Sequence, residues 1–523
     1  MGADALVAEV TAQAGPAEPS VDAGDRHLRR VARGGAFSLV GAVVSAVLTL
    51  AFTVLVTRNL DGADAGIFFA ATSAFVIACA VARLGVPTGV VYFLSRLRAT
   101  HEEHRLRPVV QQAAVAVALL SVLLAVAGIV LAPQLADLLA AGARAPEVVT
   151  LVRLLAAFVL VASLNDVAVG VTRGYGTVRP FVLVERITRP LLQLLLAGAA
   201  LAAGARSPLW LGLAWVAPYA VSAVVLGLWS SRLRRTVERR AGAREHGGWR
   251  AEVATFWRFT APRSVAGVTQ MLLQRADILL LAAMRGPAEA AVYTAATRFL
   301  VFGQLGGGAI STAVQPKIAA LVARDDISGA QKVYRAATVW LVLASWPVYL
   351  LSAVFAPQLL TIFGADYARG TSTVIVLSLT MLVATACGAV DVVLMMAGRS
   401  SWTMANSLVA LAVNLALNLL LIPPLGIFGA ALAWSASILV GNLLPLAQLA
   451  RHLHLHPFGR PGVVAMGLAA GCFGLAPALA ALASWTAAAV VAALGACVYT
   501  GAVWRHRRLL DLHQFAAVRR RSS

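Results

Sequence analysis

Apolar positions in this chain neither alternate nor follow a single amphipathic face. They gather into blocks of twenty or more residues, each closed by a short polar stretch. A helix needs about 20 apolar residues to cross the hydrocarbon of a bilayer. Fourteen blocks meet that requirement: 34–57, 65–94, 109–131, 148–170, 180–203, 209–229, 256–283, 288–315, 336–356, 372–396, 402–422, 427–449, 461–482 and 484–503. The pattern therefore predicts an all-α polytopic membrane protein with about 14 transmembrane helices, numbered here as spans 1–14.

Composition agrees. Of the 523 residues, 60% are hydrophobic and 13% charged, with a mean hydropathy of +0.81. Soluble domains carry about 25% charged residues. A soluble enzyme, a secreted disulfide scaffold and a disordered protein are excluded. Residues 1–33 read as a disordered cytoplasmic tail, because no basic segment followed by an apolar core marks a signal peptide. Cys79, Cys387, Cys472 and Cys497 all lie in apolar blocks without CxxC or Cys/His spacing. They indicate neither a metal site nor a disulfide framework. The Arg451–His456 run of alternating histidines reads as an interfacial turn. With no phosphate-binding Gly/Lys loop and no catalytic constellation, the chain reads as a non-enzyme without a cofactor.

The net charge is +20, from 43 basic and 23 acidic residues. With a cytoplasmic N-terminus, 31 of the 43 basic residues fall in inner segments and five in outer loops, with seven inside spans. That bias fixes the orientation by the positive-inside rule and places both termini in the cytoplasm. A missed span would invert every later loop and destroy the bias. The charge needs no nucleic acid to explain it; it meets anionic lipid at the cytoplasmic face of the cell membrane.

The chain carries an internal repeat. Asp64–Thr72 resembles Glu289–Thr297 at an offset of 225, and Asp166-Val167 resembles Asp391-Val392 at the same offset. Spans 1–6 and 7–12 are thus two units of even span number, entering the membrane from the same side. The expected layout is two parallel six-helix lobes, over 34–229 and 256–449. A basic cytoplasmic linker at 230–255 joins them, spans 13–14 follow at 461–503, and a basic cytoplasmic tail occupies 504–523. Transporters built on such repeats bind substrate between the lobes.

Charge inside the membrane marks candidate function, because a charged side chain at mid-bilayer costs about 2.5–3.5 kcal/mol on insertion scales. The spans hold Arg83, Arg153, Arg186, Arg189, Arg263, Arg275 and Arg298, against Asp166, Glu185, Asp277 and Asp391. On span 7, Arg263, Gly267, Gln270, Gln274 and Asp277 fall on one helical face, and Arg275 falls off it. That face lines a central cavity or packs as a buried polar seam. Glu185 and Arg189 are positioned to pair at i,i+4. Snorkelling to a span end is the alternative for Arg83, Arg153 and Arg298. An excess of Arg suits an anion, and pyrophosphate offers several bidentate edges. Arg83, Arg186, Arg263, Gln270, Gln274 and Arg298 are the substrate-binding candidates. Hinges are expected at Gly85-Val86-Pro87, Pro262, Gly306–Gly308 and Pro423-Pro424.

Several segments resemble one family. Thr57–Phe68 is similar to the junction of the first two helices in polysaccharide-transport flippases of the O-antigen and capsule type. These belong to the multidrug/oligosaccharidyl-lipid/polysaccharide exporter superfamily. Ala82–Val86 resembles a Leu-Gly turn late in the second helix. Asp277, Gly286 and Tyr293 resemble the start of the second lobe. Asn414, Asn418, Ile422-Pro423 and Gly426–Ala431 resemble the junction of helices 11 and 12. The resemblance covers about 34–450. It implies alternating access, and a lipid-linked oligosaccharide carried on polyprenyl pyrophosphate to the outer leaflet. It also implies coupling to a proton or sodium gradient, with Asp277 as the candidate, and polysaccharide assembly enzymes as partners. A lipid II flippase and a multidrug/cation antiporter are the alternatives within the superfamily.

Overall fold

The computed structural model describes residues 21–100, 102, 105–140, 145–241 and 249–510, with side chains over 34–100, 102, 105–139, 146–236 and 253–510. Residues 1–20, the middle of the 230–255 linker and most of the C-terminal tail lie outside the described residues. Helices dominate, and no strand occurs among the described residues.

Eleven helical segments are long and apolar enough to cross a membrane. Ser400–His452 alone holds spans 11 and 12. At Gly426 the backbone leaves the helix (φ 54°, ψ −129°) and reverses the chain. Asn406 and Gln448 therefore sit side by side and exchange two hydrogen bonds, of 2.8 and 3.0 Å. Spans 5 and 8 fall outside the eleven, although both are helical. Span 5 begins as a π-helical segment, Phe181–Thr188, and continues as Arg189–Ala202. Span 8 is split into Pro287–Thr297 and Leu300–Val322. All fourteen spans are thus helical paths.

The breaks do not all fall where sequence places them. Span 2 breaks as expected, between Gly62–Ala82 and Val86–Ala99, with Leu84 and Gly85 at positive φ. Span 7 is one helix, Trp249–Arg285, through Pro262. Helix also continues through Gly306–Gly308, where a hinge was expected. Glycine lowers helix propensity without removing a hydrogen bond. Span 8 breaks instead at Arg298-Phe299, where the Arg298 N–H turns back to Ala295 O at 3.1 Å. Span 10 carries an unforeseen break at Gly388 (φ 73°), between Thr371–Ala386 and Val390–Met396.

We call the end of the bundle from which spans 1 and 7 start the linker face, and the opposite end the far face. At the far face the two halves are in close contact. A Cβ on Gly66 of span 2 would lie 1.7 Å from the carbonyl oxygen of Pro287 on span 8. Arg58, at the end of span 1, donates from Nε to Ile362 O (2.8 Å) and from Nη2 to Thr361 O (2.7 Å). A cation thereby meets the carbonyl end of the short helix Ala356–Thr361. Phe52, Phe68, Tyr293, Phe299, Phe363 and Tyr367 belong to one buried core that crosses between the halves. Near the linker face, contact runs through span 7, whose Phe256 is buried among Val86, Val90 and Phe93 of span 2.

Side-chain caps set where two helices begin. Asp61 accepts from the Asp64 N–H at 2.7 Å. Asp326 accepts from the Gly329 N–H (2.8 Å) and Ser328 Oγ (3.0 Å), which holds its carboxyl below the usual range. Spans 13 and 14 lie against span 9, where Phe473 packs beside Leu350 and the Tyr499 hydroxyl donates to Leu343 O (2.9 Å).

Gly66→Val is expected to destabilise the bundle by about 1–3 kcal/mol or more, because backbone rather than a flexible side chain blocks the new methyls. Gly62→Ala is expected to be nearly neutral, since its Cβ would meet only Ala288 Cβ, at 3.7 Å. The apparent unfolding midpoint of the purified variants checks both.

Candidate anion site in the second half of the bundle

In the first half, Arg83 and Arg189 are ion-paired, whereas Arg186 and the exposed Arg153 make no ion pair among the described residues. Arg83 Nη1 lies 3.2 Å from Asp166 Oδ2, linking spans 2 and 4. Arg189 Nη1 lies 2.9 Å from Glu185 Oε2, as the i,i+4 spacing predicts, and its guanidinium covers the Tyr219 ring at 4.4 Å. The other Glu185 oxygen accepts from Asn165 Nδ2 at 2.8 Å. Arg186 stacks on Phe181 at 5.4 Å from the ring centre. These contacts join spans 2, 4, 5 and 6 into a polar core.

The second half is arranged differently. A cavity of about 400 Å³ is walled by spans 7, 8, 10, 11 and 12. Span 7 contributes Gln270, Gln274, Arg275 and Asp277, and span 8 contributes Thr297, Arg298 and Gln304. Asp391, Asn406, Trp434 and Asn442 line the remaining wall. The guanidinium groups of Arg275 and Arg298 make no hydrogen bond or ion pair among the described residues, and Arg298 Nε is enclosed without a partner. Both arginines also line a smaller void of about 70 Å³ that reaches Phe52, Phe69 and Trp215 of the first half. They therefore stand where the two halves meet. Asp277 is 2% exposed; one carboxylate oxygen accepts from the Tyr293 hydroxyl at 2.5 Å, and the other has no partner.

The repeat register accounts for the contrast. The offset that aligns Asp64 with Glu289 and Asp166 with Asp391 places Gly308 opposite Arg83. The second half therefore has no arginine to pair with Asp391, which makes no ion pair among the described residues. A Cβ on Gly308 would meet nothing within 4 Å. Where the first half holds an ion pair, the second leaves a free carboxylate and open space.

Of the residues singled out by sequence, Gln270, Gln274, Asp277 and Arg298 come together at this cavity. Arg83 and Arg186 lie in the first half, in the contacts just described. Arg263 is exposed, donates to Phe259 O (2.8 Å) and covers the Phe259 ring at 3.6 Å. It shares the polar face of span 7, but 14 residues along a helix separate it from Asp277 by about 21 Å. Arg275 is a correction to the single-face reading. It lies off that face, yet its long side chain reaches the same cavity because the wall curves from span 7 to span 8. Trp434 and Asn442 carried no sequence signal, as an indole and an amide on an apolar span read as packing. Asn414 and Asn418, one turn apart on span 11, are fully buried; Asn418 Nδ2 donates to Asn414 Oδ1 at 3.1 Å.

A family model described as polysaccharide biosynthesis protein matches residues 31–322, more than half of the chain. A second, MatE, matches residues 262–420. No curated protein matches by sequence. Among solved structures, the inward closed conformation of the lipid II flippase MurJ superposes with a TM-score of 0.70 at 12% identity, covering 91% of this chain and 99% of that one. An inward-facing multidrug resistance MATE transporter of the MOP superfamily gives 0.62 at 16% identity, covering 80% and 98%. A MOP superfamily transporter from Pyrococcus furiosus, described as having a binding pocket of reverse polarity that suggests a different function, gives 0.56 at 18% identity, covering 82% and 98%. The fold is that of the MOP superfamily.

The first-half ion pair is expected to act through stability. Arg83→Met strands Asp166 and is expected to cost about 1–3 kcal/mol. Adding Asp166→Asn is expected to restore most of the loss. Apparent unfolding midpoints of the two single variants and the double variant complete the cycle.

Proposed function

This chain belongs to the polysaccharide biosynthesis protein family, and we propose that it is a flippase for a polyprenyl-pyrophosphate-linked oligosaccharide. It carries this lipid from the inner to the outer leaflet of the cell membrane for cell-surface polysaccharide assembly. The linker face is the cytoplasmic one, in keeping with the distribution of basic residues along the chain.

The observation that carries this reading is the pair of unpaired guanidinium groups, Arg275 and Arg298, on the wall of a polar cavity. Unpaired cations are costly at membrane depth, so a site that retains two of them is built for an anion. Guanidinium binds phosphate edges bidentately, and a pyrophosphate presents enough edges for both groups. The amides of Gln270 and Gln274 stand beside them as further donors. The same wall carries Asp277 and Asp391, so its formal charge is balanced, and transport of a lipid-linked sugar against export of an organic cation is what separates the two readings. A lipid II flippase shares the polyprenyl pyrophosphate and remains the second reading within this class.

The closed far face gives the movement its direction. The contacts of Arg58 and Gly66 seal one end, while Asp391, Asn406 and Asn442 carry the cavity toward the cytoplasmic ends of their spans. Opening to the outer side requires Arg58 to release Thr361 and Ile362. The breaks at Gly85, Arg298-Phe299 and Gly388 are the places where spans can bend as the halves rock. Asp277 couples the cycle to a proton or sodium gradient, since its partner-free oxygen is available to either ion.

Purified protein in liposomes, given a fluorescent polyprenyl-pyrophosphate-linked sugar, is expected to make that lipid inaccessible to an external quencher. Arg275→Ala and Arg298→Ala are each expected to slow flipping about tenfold or more, the scale of one lost charge-assisted contact. Arg263→Ala, outside the cavity, is expected to flip at the wild-type rate. Asp277→Asn is expected to lose the response to an imposed ion gradient. Absence of flipping across several lipid-linked sugars, together with export of organic cations, would move the assignment to the antiporter.

A further inference from the structure

The cavity extends beyond Arg275 and Arg298 into a region that has polar groups but no cation. Gln304 lies six residues past Arg298 on span 8, about 9 Å along a helix. Its amide makes no hydrogen bond among the described residues, and neither does the carboxylate of Asp391. On span 12, Trp434, Ile438 and Asn442 fall on one face at i, i+4 and i+8. Asn442 spends Nδ2 on Ile438 O (2.8 Å) and leaves its carbonyl oxygen open. Trp434 is half-buried, and its indole N–H donates to nothing among the described residues. Asn406 is held in place on the same wall by its two bonds with Gln448.

Gln304 and Asp391 are exposed to the cavity and Trp434 and Asn442 are half-buried on its wall, so all four are free to meet a ligand that enters it. Their chemistry is mixed. An indole offers a broad apolar face with electron density above it, and one donor at its edge. A carboxylate and a carbonyl accept; a primary amide does both. A pyranose matches that set. Its axial C–H groups form an apolar face suited to an aromatic ring, and its equatorial rim of hydroxyls donates and accepts. The cavity volume of about 400 Å³ falls in the range of small-molecule sites.

We propose that this part of the cavity is a sugar subsite, which holds the first residue or residues of the glycan while Arg275 and Arg298 hold the pyrophosphate. Trp434 is the stacking platform, and Gln304, Asp391 and Asn442 are the hydroxyl partners. The subsite rests on the reading of the two arginines as the pyrophosphate site. The flippase thus selects its cargo by its glycan in the second half of the bundle, before the halves rock.

Equilibrium binding to the full chain in lipid nanodiscs tests this. The probes are bare polyprenyl pyrophosphate and the same lipid carrying a hexose, an N-acetylhexosamine or a disaccharide of either. Wild type is expected to bind at least one sugar-bearing lipid about tenfold more tightly than the bare lipid, the scale of one aromatic stacking contact. Trp434→Ala and Asp391→Asn are each expected to bring that ratio close to one by weakening the sugar-bearing lipid more than the bare lipid. Trp434→Phe, which keeps an aromatic face, is expected to keep most of the preference. Arg298→Ala is expected to weaken all probes alike.

Equal affinity of wild type for bare and sugar-bearing lipids would overturn the subsite and leave the anion site standing. So would a Trp434→Ala variant that loses bare and sugar-bearing lipid in the same proportion, since that is the mark of a structural role. Failure of wild type to bind any of the lipids would overturn the flippase reading itself. Tight binding of tetraphenylphosphonium that Trp434→Ala abolishes, with no sugar preference, would identify an organic-cation site instead.

Discussion

Hydrocarbon satisfies no polar group, so every charge or amide that enters the bilayer must find its partner in protein, water or ligand. The two halves of this bundle answer that constraint differently. In the first half, Arg83 meets Asp166, and Glu185 meets both Arg189 and Asn165. The result is a self-contained polar core. In the second half, Arg275, Arg298, Gln304 and Asp391 are left open around a cavity. In the repeat register Gly308 stands opposite Arg83, which leaves Asp391 without the arginine that Asp166 has. The same span architecture thereby yields a packed half and a receiving half.

That asymmetry extends to the backbone. Span 2 breaks at Gly85, whereas its repeat counterpart, span 8, breaks at Arg298-Phe299, beside the cavity. Span 10 breaks at Gly388, three residues before Asp391, whereas span 4 runs unbroken past Asp166. At Arg298-Phe299 the backbone keeps helical dihedrals, so the sharper break of the second half is the one at Gly388, close in sequence to the open carboxylate of Asp391. The far face is held by a few definable contacts, chiefly Arg58 on the carbonyls of Thr361 and Ile362 and the close approach of Gly66 to Pro287.

Most of the helical fold was legible in the sequence, because a membrane span needs only length and apolarity. The bend at Gly85 was legible for the same local reason, a glycine at positive φ ahead of a proline. The breaks at Arg298 and Gly388 were not, since neither carries a proline and tertiary packing decides them. The site was legible in part. The periodicity of Gln270, Gln274 and Asp277 marked a polar face correctly, but the same rule enrolled Arg263, which lies too far along the helix. It also excluded Arg275, because a face drawn from Cα positions ignores the reach of a long side chain. The pairing of Arg83 with Asp166 spans 83 residues and has no local signature. Trp434 and Asn442 look like ordinary residues of an apolar span until the cavity is seen.

The central claim is that the open guanidinium groups of the second half receive the anionic headgroup of a lipid-linked glycan. An electron cryomicroscopy structure of the chain in nanodiscs, bound to a polyprenyl-pyrophosphate-linked sugar, tests it most directly. The account predicts pyrophosphate density bridging Arg275 and Arg298, with the lipid tail leading away from the cavity. Headgroup density beside Arg83 and Arg186 in the first half, with the second-half cavity empty, would contradict it.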